Sequence, residues 1–184
     1  MPDALTGRLL VATPLLDDPN FHRTVVFVCS HNQEGALGVI LNRPLEDPVD
    51  ELVPAWGRLT AVPHVVFAGG PVDRERVIAL ARDRSGQERP SWSPILPQVG
   101  LVDLGLDPDY LPSSVEVVRL FAGYAGWGGG QLEHEIGESA WFVVDARPGD
   151  IFTHAPLDLW RTVLRRQSGA LAMYSTFPRD TALN

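Results

Sequence analysis

Between Arg119 and Trp141 the chain runs Arg119-Leu-Phe-Ala-Gly-Tyr-Ala-Gly-Trp-Gly-Gly-Gly-Gln131 and continues through Leu132-Glu-His-Glu-Ile136 to Trp141. This stretch limits the possible folds more than any other. Five glycines lie between Gly123 and Gly130. Without a Cβ the backbone there can turn sharply or approach a neighbouring segment closely. The pattern reads as a strand, a glycine-dense turn, a short helix opening at Gln131 with Glu133 and Glu135 near its start, and the approach to another strand at Trp141.

A chain of 184 residues suits one compact domain over residues 1–184, with room for a sizeable core. Its 45% hydrophobic and 21% charged residues are ordinary for a soluble globular protein. All 15 basic residues are Arg, against 23 acidic ones, which gives a net charge of −8. The absence of Lys excludes a Schiff-base lysine and a phosphate-loop lysine. The acidic balance opposes a nucleic-acid backbone, whose non-specific affinity comes from Lys and Arg, so direct DNA binding is disfavoured. Cys29 is the only cysteine, which rules out an internal disulfide and a cysteine-based zinc site. The apolar run over residues 9–16 is broken by Pro14 and too short to span a bilayer. No membrane partner is expected, and a cytoplasmic location is.

Residues 8–12 read as a strand closed by Thr13-Pro14. Residues 24–30 are apolar on both faces and so belong in the middle of a sheet. Residues 31–35 look like a hairpin loop returning through residues 36–41, and Asn42-Arg43-Pro44 ends that strand. Residues 49–59 suggest a short amphipathic helix troubled by Pro54. Residues 65–68 predict a strand with 76–82 pairing beside it, and the three prolines over 85–97 suggest an irregular loop. Further strands are expected at 99–104, 115–122 and 140–145, with a turn at 147–149. A helix is expected at 156–166, with Leu157, Trp160 and Leu164 on one side and Gly169 as its stop.

Candidate chemistry is sparse. Cys29 and His31 stand two apart on a strand, which puts them on one face, but Cys29 closes a buried run where a thiol behaves as a small hydrophobe. The histidines at 22, 31, 64, 134 and 154 show no metal-ligand spacing. Gly126-Trp-Gly-Gly-Gly130 resembles a phosphate cradle only superficially, since Glu133 and Glu135 already bring negative charge to the helix start. Arg119, entering the turn, is the cation that would offset them; a solvent-facing or ion-paired strand residue is the equal alternative. Trp127 and Trp141 bracket the helix as packing anchors. Gly69-Gly70 needs only a turn to explain it.

The order of these pieces is more telling than any one. Gly7-Arg-Leu-Leu-Val-Ala-Thr-Pro14 and Asp18-Pro-Asn-Phe21 come first, then Cys29-Ser-His-Asn32, Gly35-Ala-Leu-Gly38 and Leu41-Asn-Arg-Pro44. Gly69-Gly-Pro-Val72, Phe121-Ala-Gly-Tyr-Ala-Gly-Trp127, Gly130-Gln-Leu-Glu133 and Trp141 follow. Together they resemble the bacterial AlgH/YqgE family, from Gly7 to about Trp160. The Gly128-Gly129 pair is more glycine-rich than that family's turn, where proline is common. The resemblance implies a mixed α/β domain whose bifurcated sheet forms a pseudo-barrel flanked by helices. It implies no particular activity: the family is mostly described as uncharacterised, with a transcriptional-regulator label taken from an association with alginate synthesis. No helix-turn-helix or basic stripe here supports direct DNA reading.

The expected function is therefore a non-enzymatic regulatory or binding protein acting through a small anionic ligand or a protein partner, with no cofactor and no metal. Its expected site gathers His31, Asn32, Asn42, Arg43, Gly69, Gly70, Arg119, Gly126, Trp127 and Gln131. A second expectation is an enzyme with His31 as general base and Arg119 or Arg43 holding an anionic group. A third, a direct DNA-binding regulator, needs an Arg-rich face.

Overall fold

Strands β1 (Arg8–Ala12) and β2 (Val25–Asn32) are apolar from Leu9 to Ala12 and from Val25 to Cys29, where both of their faces are covered. Leu9 and Val11 enter one hydrophobic cluster while Leu10 and Ala12 enter another, the two-residue period of a strand buried on each side. This computed structural model describes residues 5–179. After β3 (Gly35–Ile40) come β4 (Pro44–Pro48), α1 (Val49–Leu52), β5 (Val65–Ala68), β6 (Val72–Asp83), β7 (Trp92–Leu96), β8 (Val99–Val102) and β9 (Val115–Gly128). The chain then forms α2 (Gln131–Gly137), β10 (Trp141–Asp145), α3 (Pro148–Ile151), α4 (Leu159–Arg165) and α5 (Ala170–Tyr174).

The strands join in the order β10-β1-β2-β3-β9-β6-β8-β7, antiparallel at every step. The sheet curls into a half-barrel. Its fork is β9, which is long enough to serve two sheets. β3 pairs with Ala125 to Gly128 of β9, and β5 runs parallel to Phe121 and Ala122, while β6 takes the opposite edge. β4 hangs from β5. The first cluster packs β1, β2 and β9 against Ile151 of α3 and Trp160 and Leu164 of α4. The second lies under α2, around Val26, Ile40, Trp127, Leu132 and Trp141. The third, with Trp56, Trp92 and Leu120, fills the other branch. Among the described residues no helix is long and apolar enough to cross a membrane.

The glycine-dense segment differs from its sequence reading. It is strand as far as Gly128, and only Gly129 and Gly130 turn. Gly123, at φ +74°, answers a different need, which is backbone crossing: a Cβ there would lie 2.6 Å from the Gly70 carbonyl oxygen. A Cβ on Gly69 would lie 2.2 Å from the Gly123 carbonyl oxygen, and one on Gly35 would lie 2.0 Å from that of Trp127. Any side chain would force the strands apart at the fork.

Other corrections have similarly local causes. Residues 49–59 split into α1 and a 3₁₀ turn (Pro54–Leu59), because Pro54 has no N–H to continue the helix. β6 starts at Val72 and pairs with β8 and β9, not with β5. Residues 85–97 contain β7, where Pro94 is tolerated because β7 is an edge strand. Residues 147–149 lead into α3 rather than a plain turn, and the helix expected from residue 156 begins as a 3₁₀ turn (Pro156–Asp158) that leaves Leu157 exposed. Gly169, at φ +65°, precedes α5.

Candidate functional site

At the fork, where the connection from β5 to β6 crosses β9, lies a pocket of about 280 Å³. Ile40, Leu45, Ala68, Pro71 and Ala122 supply apolar wall. Asn20, Arg43, Gly70 and Arg74 complete the lining. Four of the segments that carry the family resemblance converge here: Asp18-Pro-Asn-Phe21, Leu41-Asn-Arg-Pro44, Gly69-Gly-Pro-Val72 and Phe121-Ala-Gly123 each contribute lining residues.

The backbone explains the convergence. Gly69 donates to the Ala122 carbonyl and accepts from Ile40, so the chain leaving β5 is held to β9 and β3 at once. A Cβ on Gly70 would lie 2.1 Å from the Tyr124 carbonyl carbon, which only glycine avoids. Asn42 latches the neighbouring turn: its Oδ1 accepts from Val25 at 2.9 Å and its Nδ2 donates to the Arg23 carbonyl at 2.9 Å. Asn42 is thus a framework residue behind the pocket. Arg43 comes next, its backbone carbonyl accepting from Ala68 and its side chain turned toward Asn20.

The Arg43 guanidinium donates through Nη1 to the Asn20 carbonyl at 2.6 Å and through Nη2 to the carbonyls of Pro19 and His22, at 3.0 and 3.3 Å. That leaves its Nε–H and one Nη1 hydrogen without a described protein partner. Burial pushes its pKa below the ordinary range, with Asp18 acting in the opposite direction. Arg74 is exposed, and among the described residues no carboxylate or carbonyl engages its guanidinium. The lining carries two guanidiniums and no Ser, Cys, His, Asp or Glu. Such a surface can attract and hold an anion, but its own side chains supply neither nucleophile nor base.

His31, Gln131 and Trp127 form a separate assembly around α2. A bulge at Cys29 inserts one extra residue, shifting the register so that His31 pairs with Ala36 of the second cluster while Cys29 stays in the first. The shared face expected of Cys29 and His31 does not exist. Cys29 is packing, its thiol pushed up to about 12 by burial. His31, only 7% exposed, contacts Glu133 through Nε2 at 2.7 Å. The Glu133 carboxyl is held below its usual range, first by its own backbone N–H and then by His31. Glu135 Oε2 accepts from both indoles, Trp127 at 2.8 Å and Trp141 at 2.9 Å, and its Oε1 accepts from Gln131 at 3.1 Å. Phe21 stacks on Trp127. Asn32 Oδ1 accepts from Glu34 and closes the hairpin turn, while Gly126 is exposed against the Tyr124 ring.

This indole clamp pins α2 to the sheet, and it makes a prediction. Glu135→Leu should lower unfolding free energy by about 2–4 kcal/mol, since two buried indole N–H groups lose their acceptor. Glu135→Gln, which keeps one oxygen, should cost less. Urea unfolding of the three proteins measures it, and a loss under about 0.5 kcal/mol for Glu135→Leu would remove the clamp from the account.

Arg119 is the largest correction among the site residues. It is 1% exposed, and its acceptors lie outside the glycine segment. Its Nη1 donates to the carbonyls of Ile151 and Thr153 at 3.1 and 2.8 Å, its Nη2 to that of Val62 at 2.7 Å, and the Phe67 ring lies 4.4 Å beneath it. Neither Arg119 nor His31 lines the fork pocket, so the pairing needed for His31 as base with an Arg-held substrate is not assembled there. Sequence reasoning missed the other seven lining residues, Asn20, Ile40 and Arg74 among them. Asn20 sits inside the Asp18-Pro-Asn-Phe21 motif, whereas Arg74 lies in the alternating-charge run Asp73-Arg-Glu-Arg76, the pattern of a solvated strand face.

The comparisons agree with this architecture. The family model described as AlgH-like matches residues 9–172. A UPF0301 protein of Streptomyces coelicolor is 50% identical over 185 residues, covering 98% of this chain and 96% of the relative. A UPF0301 protein of Thermobifida fusca is 47% identical with the same coverage of both chains. The crystal structure of protein DIP2367 from Corynebacterium diphtheriae superposes with a TM-score of 0.89 at 32% identity, over 96% of this chain and 93% of that one. The solution structure of the AlgH protein from Pseudomonas aeruginosa gives 0.70 at 27% identity, over 95% and 94%. The resemblance read from the motifs is thereby established, and the chain belongs to the AlgH-like family.

Proposed function

We propose that this protein is a non-enzymatic, cytoplasmic binding protein that takes a small anionic ligand in the fork pocket and serves regulation through its occupancy. The carrying observation is the pair of guanidiniums, Arg43 and Arg74, on a pocket whose lining has no acid and no nucleophile. A partly desolvated guanidinium with unused donors gains most from an anion, because the charge-assisted hydrogen bonds replace water it has lost. A route through a small ligand also fits a net charge of −8, which works against a nucleic-acid partner.

A thermal-shift screen of the purified protein against carboxylates, inorganic phosphate and phosphorylated compounds tests the reading. A ligand at a hundred times its Kd adds about 2.7 kcal/mol, a rise on the order of 5–10 °C for a chain of this length. Arg74→Gln, an exposed change that should leave the fold intact, is expected to lower that affinity at least tenfold. A silent panel, or shifts unchanged by Arg74→Gln, would overturn the proposal and favour a protein partner instead.

A further inference from the structure

The walls of the fork pocket narrow the ligand further, in an inference that rests on the anion-binding reading above. We propose that it is a small organic acid, one carboxylate on an apolar aliphatic or aromatic body, rather than a nucleotide or a sugar phosphate.

The backbone around the pocket is the first reason. Phosphate cradles use several free N–H groups converging on one point. Here several of the nearby groups are engaged: Ile40 N–H donates to the Gly69 carbonyl, Ala68 N–H to that of Arg43, Gly69 N–H to that of Ala122, and Asn20 N–H to the Asp18 carboxylate. Pro71 has no N–H at all. Recognition of the anion therefore falls chiefly to the guanidiniums, whose planar fork matches a carboxylate.

The second reason is the wall itself. Ile40, Leu45, Ala68, Pro71 and Ala122 present only hydrocarbon side chains. Asn20 is the one neutral polar side chain of the lining. A ribose or a hexose would bring several hydroxyls into contact with that wall and leave them without partners, each at a cost in affinity. An alkyl chain or a phenyl ring loses nothing there. Size and charge agree. A pocket of about 280 Å³ falls at the small end of ligand sites. With Asp18 partly offsetting Arg43, Arg74 is the main uncompensated cation, which suits a monoanion.

Titration calorimetry with the full chain tests this, using acetate, butyrate, hexanoate and benzoate against inorganic phosphate and adenosine monophosphate. Affinity should rise about fourfold per added methylene until the pocket is full. Arg74→Gln should weaken every acid at least tenfold, while Leu45→Ser should weaken hexanoate and benzoate more than acetate. If phosphate or the nucleotide binds with Arg74 dependence and the acids do not, or if chain length has no effect, this inference falls and the anion-binding reading stands. If no probe binds, both fall.

Discussion

Replacing Arg119 with Met should lower the free energy of unfolding by about 3–5 kcal/mol, because three carbonyls buried around it lose a charged hydrogen-bond donor. The side chain is one of the largest fully buried in the protein, and burial brings its pKa down to about 10, so it remains charged at neutral pH. It stays buried because three carbonyls from two distant segments accept its protons. Met fills much of the volume yet leaves Ile151, Thr153 and Val62 without those bonds. Arg119→Lys should fall between the two, since a single ammonium cannot reproduce the fork. Urea unfolding reads all three, and a loss below about 1 kcal/mol for Arg119→Met would show that these bonds add little. Arg119 stands on β9, the strand shared by both branches, and reaches the end of α3. Its loss should therefore loosen the helical layer and the fork together.

A second large effect is expected at Asp150. Only 4% exposed, it receives Arg166 in a two-point contact, Nη1 to Oδ1 at 2.5 Å and Nη2 to Oδ2 at 2.7 Å. Its Oδ2 also accepts from the Arg147 backbone N–H at 2.7 Å, which closes the first turn of α3. Arg166 in turn donates to the Asp145 carbonyl at 3.0 Å, so one ion pair ties α3, the end of α4 and β10. Asp150→Ala leaves the guanidinium partly buried without its counter-charge and removes the cap, a loss of about 3–5 kcal/mol. The double variant with Arg166→Met should recover part of that loss, with a coupling of about 1–3 kcal/mol in a double-mutant cycle. Strict additivity would mean that the two residues do not interact.

Much of the fold was legible because its signals are local. Val25 to Cys29 form an unbroken apolar run that belongs in mid-sheet, and β2 lies between β1 and β3. The family order from Gly7 to Trp141 led to the bifurcated sheet that the structure and the comparisons bear out. The misreadings share a cause. The glycines from Gly123 to Gly128 read as a turn in the sequence because glycine marks both turns and close crossings, and composition does not separate the two. Trp92 to Leu96 were hidden by Pro94, which a strand tolerates only at an edge, and edges are not visible in sequence.

The expected site residues divide along the same line. Arg43 and Gly70 do line a pocket, drawn together by hydrogen bonds between β3, β5 and β9 that no sequence spacing announces. Arg119 and Trp127 look equally available in the sequence, yet one is bound to three carbonyls and the other to Glu135. From the sequence alone came the strand-rich mixed fold, the family and the exclusion of lysine and disulfide chemistry, because these depend on residue type and order. Which arginines remain free to meet a ligand was decided only by the tertiary structure. A guanidinium's availability depends on the carbonyls and carboxylates packed around it, and those come from segments far away in the chain.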